Sequence, residues 1–247
     1  MIIKKFIRFI LLTAGVLLIA SCASNITPSH PVCTPLVPSG PRQNVVHIVA
    51  PGETLWRIGK MYGVSGADIA RANCLSTQNP VLKKGRRLII PNAAPVTPVV
   101  SLYPNTKWKY IIVHHSGTEM GNSLSFDTYH LSRGWNGIGY HFVIDNGTDS
   151  KHDGQIEVSP RWLKQLNGSH CKADGMNERA IGVCLVGNFN RDFVSPKQME
   201  ALVYLVKTLK AYYKIPDDHI LGHRMVRGAT TDCPGKHFPW REFKARL

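Results

Sequence analysis

The stretch WKYIIVHHSGT, residues 108–118, decides the fold. Its apolar run, residues 111–113, consists of β-branched side chains and is typical of a buried strand. Two adjacent histidines, His114 and His115, follow the run directly. Because successive strand side chains point to opposite faces, only one of these histidines can face a given site. The stretch therefore predicts a core strand that presents one histidine at its end.

Two further apolar segments and one long helix accompany this strand. IGYHFVIDNGT, residues 138–148, reads as a strand that ends at an Asn-Gly turn signal, and RAIGVCLVGNF, residues 179–189, reads as a buried strand. Residues 195–215 predict an amphipathic helix, with Ser195 as its cap and Gln198 completing a capping box. We assign the apolar stripe of this helix to the core and no function to it.

A second stretch, GHRMVRGATTDCPG (residues 222–235), places His223 ten residues ahead of Cys233. A catalytic zinc site needs three protein ligands and one open position for water. His114, His223 and Cys233 could supply such a set, although their spacing alone does not decide it. Asp232, next to the cysteine, is the alternative third ligand.

A small segment, residues 45–91, predicts a module of two strands and two short helices. VVHIV is a β-branched run, and Pro-Gly then turns the chain. Thr54 and Ser65 can each cap a short helix, and RRLIIP closes the module with a strand. The order is β-α-α-β. Trp56 and Tyr62 are assigned to its core.

The motifs PGETLWRI, YGV, ADIARAN and LKKGRRLIIP of this segment resemble the lysin motif (LysM), a module that binds glycans containing N-acetylglucosamine. The resemblance assigns residues 45–92 to a LysM domain. It implies that the sugar lies against the loops 51–55 and 73–82, with contacts from Gly52, Thr54 and Asn73.

The larger segment resembles the type-2 family of zinc-dependent N-acetylmuramoyl-L-alanine amidases, which includes phage amidases and animal peptidoglycan recognition proteins. The motifs IIVHHSGT, GIGYHFVID, GSHCKADGMNERAIGVCLVGNF and LGHRMVRGATTDCPGKHFPW carry the resemblance in this order. It implies an α/β (α+β) domain over residues 107–247, with a central, mainly mixed β-sheet flanked by helices and an open groove. The implied reaction is hydrolysis, by zinc-activated water, of the amide bond between N-acetylmuramic acid and the L-alanine of the stem peptide.

The same resemblance implies roles for particular residues. His114, His223 and Cys233 are the expected Zn²⁺ ligands, and His115 is expected to face away. Tyr140 is expected to position the zinc-bound water, and Thr231 stands where phage members carry a catalytic lysine. His170 and Asn188 are the expected substrate contacts.

This sequence departs from the cytosolic members of the family at two places. Those members use an aspartate as the third ligand and a glutamate on the strand that here reads IGVCLVG. In this chain the ligand position is Cys233, and the strand offers Cys184 and Val186 but no carboxylate. We therefore expect Tyr140, together with the zinc-bound water, to handle proton transfer.

The first 21 residues read as an export signal. A basic start, MIIKKFIRF, precedes the apolar run ILLTAGVLLIA, which is short for a membrane span. Ile-Ala-Ser-Cys, ending at Cys22, resembles the bacterial lipobox, so we expect lipidation of Cys22 and anchoring in the cell envelope. The outer membrane, facing the periplasm, is the expected location, and the choice between inner and outer membrane stays open. The alternative is an ordinary signal peptide with a chance cysteine. Export permits disulfides, and their pairing stays open among four cysteines, Cys33, Cys74, Cys171 and Cys184.

Composition bounds the remaining possibilities. An apolar content of 43% with 19% charged residues indicates a globular chain, and two Pro-rich segments, 22–44 and 93–106, predict spacers without a packed core. The net charge of +14 favours an anionic partner. A nucleic-acid partner is not expected, because no such module is recognisable and export argues against it. We expect a monomer that binds peptidoglycan.

A non-catalytic peptidoglycan receptor, or an envelope tether, is the alternative function. Some recognition proteins of this family lack the metal cysteine and only bind. The presence of His114, Tyr140, His223 and Cys233 in this chain argues for catalysis. The preferred stem peptide, and the choice between intact wall and muropeptide fragments, are left open by the sequence.

Overall fold

The computed structural model describes residues 32–33, 40–78 and 80–247. The predicted signal, residues 1–21, and the lipidation site Cys22 lie outside these residues. Within them, no helix is both long and apolar enough to cross a membrane. The strands are β1 (Val32–Cys33), β2 (Gln43–Ile48), β3 (Arg87–Ala93), β4 (Val100–Ser101), β5 (Tyr110–His115), β6 (Phe142–Asn146), β7 (Asp153–Val158), β8 (Ala180–Leu185) and β9 (Ile220–Gly222). The α-helices are α1 (Leu55–Tyr62), α2 (Gly66–Ala72), α3 (Ser123–Ser132), α4 (Pro160–Leu163), α5 (Met176–Arg179), α6 (Pro196–Tyr213) and α7 (Trp240–Ala245).

The small module has the predicted β-α-α-β order, with β2 antiparallel to β3. The Thr54 and Ser65 side chains cap α1 and α2 by accepting backbone N–H bonds. Tyr62 is buried as expected, with 3% of its surface exposed, whereas Trp56 is 37% exposed. The assignment of Trp56 to the core was therefore wrong: α1 has a single apolar face, and Trp56 lies off it.

The large segment contains a five-stranded mixed sheet in the order β7-β6-β8-β5-β9. All neighbouring strands are parallel except the pair β6 and β7. One face of the sheet packs against α6 in the main core, which includes Ile111, Val113, Phe142, Ile144, Ile181, Val183, Leu202 and Leu209. The helix α6 begins with the predicted capping box of Ser195 and Gln198. A mixed sheet flanked by helices confirms the predicted fold class.

The strand register explains how distant residues meet at one edge of the sheet. Val113 of β5 lies opposite Gly222 of β9, so His114 and His223, the next residues, emerge side by side. On the other side of β5, His114 lies opposite Cys184 of β8. The carboxyl ends of the parallel strands therefore form the floor of a site.

The segment 93–106 differs from the expected free spacer. Val99, Val100 and Leu102 are buried, with at most 3% exposed. The Arg57 guanidinium, itself buried, donates to the carbonyl oxygen of Val99. The valines that alternate with prolines here supply apolar side chains, so the segment packs between the module and the sheet instead of remaining solvated.

Charged side chains join the small module to the sheet. The Lys151 ammonium lies 2.7 Å from a carboxylate oxygen of Glu157 and donates to the carbonyl oxygen of Ile48, 3.1 Å away. Lys84 pairs with Asp127 of α3 at 2.6 Å. The Lys151–Glu157 pair is almost fully buried, and such a pair is costly to break because a lone buried charge would remain.

The cysteines left open for pairing are free thiols where their side chains are described. Cys74 is exposed, and Cys171 and Cys184 are buried. The side chain of Cys33 lies outside the described part of the chain.

Candidate metal centre

His114, His223 and Cys233 form a compact group at the ends of β5 and β9. One ligand atom from each residue can be chosen so that all three lie within 4.8 Å of one another. The Nδ1 atom of His114 is 3.5 Å from Sγ of Cys233. His114 and Cys233 are buried, and His223 is half-buried. The three residues predicted as ligands therefore meet, with the group open toward solvent on the side of His223.

Backbone contacts place the cysteine in this group. The backbone N–H of His115 donates to Sγ of Cys233 at 3.3 Å, and the N–H of Arg224 donates to the Cys233 carbonyl at 2.7 Å. The loop that carries Cys233 is thus tied both to the end of β5 and to the 3₁₀ turn that begins at His223. A loop held at both ends can present the sulfur at a fixed position.

The donor set fits zinc. Zinc binds histidine nitrogen at ~2.0–2.1 Å and thiolate sulfur at ~2.3 Å, and a tetrahedral angle then separates nitrogen from sulfur by about 3.6 Å. The 3.5 Å between His114 Nδ1 and Cys233 Sγ agrees with that separation. Two nitrogens and one sulfur leave a fourth position, which is the ligand count of a catalytic zinc site.

Burial sets the protonation of the three groups. It lowers the pKa of His114 well below its usual value of 6.5 and also lowers the pKa of His223. Burial raises the pKa of the Cys233 thiol to about 12, partly offset by the N–H of His115. The imidazoles are therefore neutral and ready to bind a cation at pH 7, whereas the thiol must lose a proton to do so.

His115 and Asp232 stand apart from this group. The Nδ1 atom of His115 accepts a hydrogen bond from the backbone N–H of Phe189 at 3.1 Å. Asp232, the alternative ligand, is exposed and is not among the residues that meet. The alternation of side chains along β5 thus turns His114 toward His223 and Cys233, and His115 toward the loop that follows β8.

Tyr140 borders the group on the side of β6. Its ring centroid is 5.3 Å from that of His114, and the Cys184 side chain lies beside it. Burial raises the pKa of Tyr140 well above its usual value of 10, and the nearby thiols of Cys184 and Cys233 add to this. The phenol is therefore a protonated donor at neutral pH. Cys184 is fully buried, but its contact with Tyr140 gives it a place beside the site that its apolar sequence context did not indicate.

The other predicted residues of the large domain occupy different positions. The Thr231 hydroxyl accepts from the backbone N–H of Cys233 at 3.2 Å. Asn188 is half-buried in the turn after β8, where its side-chain oxygen accepts from the Asn190 N–H at 3.3 Å. His170 is buried behind His114, and burial lowers its pKa to about 3. Their expected contacts with substrate remain predictions.

The glycan contacts predicted in the small module lie away from the metal group. The Asn73 amide bonds within the module, to the carbonyls of Ile69 and Ile89 and to the Ile89 N–H. Thr54 is the α1 cap, with its side chain bound to the N–H of Arg57. Next to Gly52, which has a φ of +79°, an added Cβ would lie 3.2 Å from Leu163 of α4, so this loop touches the large domain.

Two aromatic residues near Tyr140 were not identified from the sequence. His130 stacks on Trp135 with ring centroids 4.6 Å apart, and its centroid is 5.8 Å from that of Tyr140. Trp135 is 42% exposed, so a large apolar ring faces solvent close to the site. The sequence does contain a hint of this ring: Trp135 stands in the Gly-rich run SRGWNGIG, which has too few apolar residues to suggest a core position for it.

A mixed α/β sheet whose parallel strands end at a histidine–histidine–cysteine group defines a protein with a potential metal centre of catalytic type. The chain belongs to the N-acetylmuramoyl-L-alanine amidase family, whose model matches residues 104–236. A LysM domain model matches residues 47–91.

Several proteins are similar to this chain. The endolysin of Enterobacteria phage T3 is 36% identical over 124 residues, which are 47% of this chain and 75% of the endolysin. Peptidoglycan-recognition protein SC1a of Drosophila melanogaster is 30% identical over 145 residues, 55% of this chain and 71% of that protein. The solved endolysin amidase LysCS from Clostridium intestinale URNW is 38% identical, with a TM-score of 0.49, and the match covers 57% of this chain and 84% of that one.

Proposed function

We propose that this chain is a zinc-dependent N-acetylmuramoyl-L-alanine amidase that cuts the amide bond between N-acetylmuramic acid and the L-alanine of the stem peptide. The observation that carries the proposal is the group of His114, His223 and Cys233 with the Tyr140 phenol beside it. Membership in the amidase family supplies the substrate class. The similarity to a phage endolysin supports hydrolysis over binding alone.

Each residue of the site has a separate role in the proposed reaction. His114, His223 and Cys233 would hold the ion. Zinc, when bound at such a site, polarises a carbonyl and lowers the pKa of a bound water to about 7. Tyr140 donates a hydrogen bond from its protonated hydroxyl and orients the reacting oxygens. Thr231, whose oxygen already accepts from the loop backbone, directs its O–H toward the substrate carbonyl.

The absence of a carboxylate from β8 makes Tyr140 the candidate for moving the proton. On that strand Cys184 lies opposite His114, and its neighbour on β6 is Val143. The Cys184 thiol lies beside Tyr140 and does not replace the missing carboxylate. A Tyr140→Phe protein should therefore keep its metal and lose most of its turnover.

The LysM domain supports a second contact with the same polymer. We infer that the module holds the glycan while the large domain cuts the muramoyl–alanine bond. The net charge of +14 suits the anionic groups of the wall. Anchoring through lipid on Cys22, on the outer membrane facing the periplasm, would keep the enzyme next to its substrate. Replacement of Cys22 by serine should release the protein from the membrane fraction; unchanged partition would reject the anchor.

Digestion of purified peptidoglycan tests the reaction. Zinc-loaded protein should release stem peptides with a new L-alanine amino terminus and leave glycan strands with an intact lactyl group, as read by mass spectrometry. The matched control is Cys233→Ser, which should bind the wall and cut nothing. If the unmodified, zinc-loaded protein also binds the wall without cutting it, the chain is a receptor, the alternative that the similarity to recognition proteins suggests.

A further inference from the structure

His170 lies directly behind His114, on the side of that ring away from Cys233. The Nε2 atom of His114 is 3.0 Å from Nδ1 of His170, whereas its Nδ1 atom is 3.5 Å from Sγ of Cys233. Both histidines are buried, with 1% of His114 and 9% of His170 exposed. The two nitrogens of His114 therefore have different partners: Nδ1 faces the metal-binding group and Nε2 faces His170.

The far end of His170 fixes the direction of this hydrogen bond. Its Nε2 atom is 3.3 Å from the carbonyl oxygen of Ala180, which can only accept, so Nε2 carries the hydrogen. A neutral imidazole has a single N–H, so Nδ1 of His170 has a free lone pair and accepts from Nε2–H of His114. His114 is thereby left with an unprotonated Nδ1 that points toward Cys233.

The surroundings hold the His170 ring in this orientation. An added Cβ on Gly168 would lie 2.3 Å from Cδ2 of the ring, and one on Gly182 would lie 2.4 Å from the same atom. The side-chain oxygen of Asn177 accepts from the backbone N–H of His170 at 2.8 Å. A side chain at either glycine would overlap the ring, so the two glycines leave the space that the His170 ring occupies beside His114.

We propose that His170 is a positioning residue that fixes the tautomer and the orientation of the metal ligand His114. The inference rests on the proposed function and deepens it, because it places His170 in the support of the metal centre instead of in contact with substrate. Metal-binding histidines commonly donate their second N–H to an acceptor, and loss of that acceptor typically lowers metal affinity ~10–100-fold.

The zinc affinity of three variants tests the proposal. It is measured by chelator competition after the metal-free protein has been refilled with zinc. His170→Phe keeps a ring in this space but has no acceptor, and Gly182→Ala pushes the native ring aside without a left-handed backbone to strain. Both should weaken zinc binding ~10–100-fold. His170→Asn retains an acceptor oxygen near the position of Nδ1 and should stay much closer to the unmodified protein.

Two outcomes would overturn the proposal. One is a His170→Phe protein that binds zinc as tightly as the unmodified chain. The other is equal weakening by His170→Asn and His170→Phe, because a purely structural role would not distinguish a retained acceptor from a lost one. Melting temperatures of the metal-free variants identify any loss that comes from misfolding.

The tautomer itself can be measured without metal and without activity. ¹⁵N-histidine spectra of the metal-free protein should show His114 protonated at Nε2 and bare at Nδ1, and the reverse assignment would reject the inference. A protein that binds zinc tightly, weakens on His170→Phe and yet cuts no peptidoglycan would reject the proposed function and leave the role of His170 standing.

Discussion

At the scale of single residues, the proposed ligand Cys233 should control how metal binding depends on pH. Its buried thiol has a pKa raised to about 12, while the pKa values of His114 and His223 are lowered. Between pH 6.5 and 8.5 the histidines are already neutral, so binding of a cation displaces one proton, from the thiol. Among the three proposed ligands, only Cys233 must therefore lose a proton when it binds the metal.

Zinc affinity should therefore rise about tenfold for each pH unit over that range. Competition with a chelator whose own titration is known measures this slope. The matched control is Cys233→Asp, whose carboxylate is already ionised at these pH values and should give a much flatter dependence. A flat slope in the unmodified chain would show that Cys233 is not a ligand.

Asp145 is a second residue whose ionisation should affect stability. It is fully buried, and burial, reinforced by the adjacent Glu157 carboxylate, raises its pKa well above the usual 3.8. A carboxyl with a raised folded-state pKa stabilises the fold only at low pH, and this contribution is lost as pH rises from the unfolded value toward the folded one. Ionised Asp145 thus opposes folding near neutrality.

Replacement of Asp145 by asparagine should therefore stabilise the protein, and more at pH 8 than at pH 5. The gain should grow by up to about 1.4 kcal/mol per pH unit until the folded-state pKa is passed. Urea unfolding at the two pH values measures it. Glu157→Gln is the control: it breaks the buried pair with Lys151 and should cost on the order of 3 kcal/mol. A destabilised Asp145→Asn protein would contradict this account.

At the scale of elements, the sheet shows what the sequence could and could not predict. The β-branched run before His114 predicted β5, and the period-2 alternation of a strand predicted that only one of the two histidines faces the site. The sequence could not predict which strands pair with β5, because β8 and β9 lie about 70 and 110 residues away along the chain. The register of such pairs is set by the assembled core.

The contact between His170 and His114 could not be predicted from the sequence for the same reason. Nε2 of His141, the residue before β6, donates to the carbonyl oxygen of Leu166 at 3.1 Å, and the loop that this bond ties down brings His170 against His114. No local pattern reports such a contact. The expected ligands, by contrast, stand in motifs that resemble the family, so the sequence could suggest that His114, His223 and Cys233 belong together, and the structure places them together.

The long helix α6 offers a test of local stability. Ser195 accepts the backbone N–H of Gln198 at 3.0 Å and donates to Asp153 of β7 at 2.7 Å, so its hydroxyl both caps the helix and ties it to the sheet. Ser195→Ala should lower the free energy of unfolding by about 1 kcal/mol, as typical for a lost cap. Ser195→Thr, which keeps the hydroxyl, should lose much less. Equal losses in a urea titration would show that the cap contributes nothing.

At the scale of the whole molecule, the LysM domain and the amidase domain share buried contacts. Arg57 of α1 donates to Ser101 of the segment 93–106, which packs between the two domains, at 3.2 Å, and Lys151 of the amidase domain donates to the carbonyl oxygen of Ile48 of the module. Because these groups lose their partners if the domains part, we expect a single calorimetric unfolding transition. Lys151→Met should separate it into two, with the module melting first. Two transitions in the unmodified protein would contradict the coupling.

The central claim is that the chain cuts the muramoyl–alanine bond only with one zinc ion held by His114, His223 and Cys233. Titration of the metal-free protein with zinc, with release of L-alanine amino termini from purified peptidoglycan as the readout, tests it most directly. Activity should be absent at the start and reach a plateau at one equivalent of zinc, and His223→Ala should stay inactive throughout. Full activity in the metal-free protein, or none at any zinc concentration, would contradict the account.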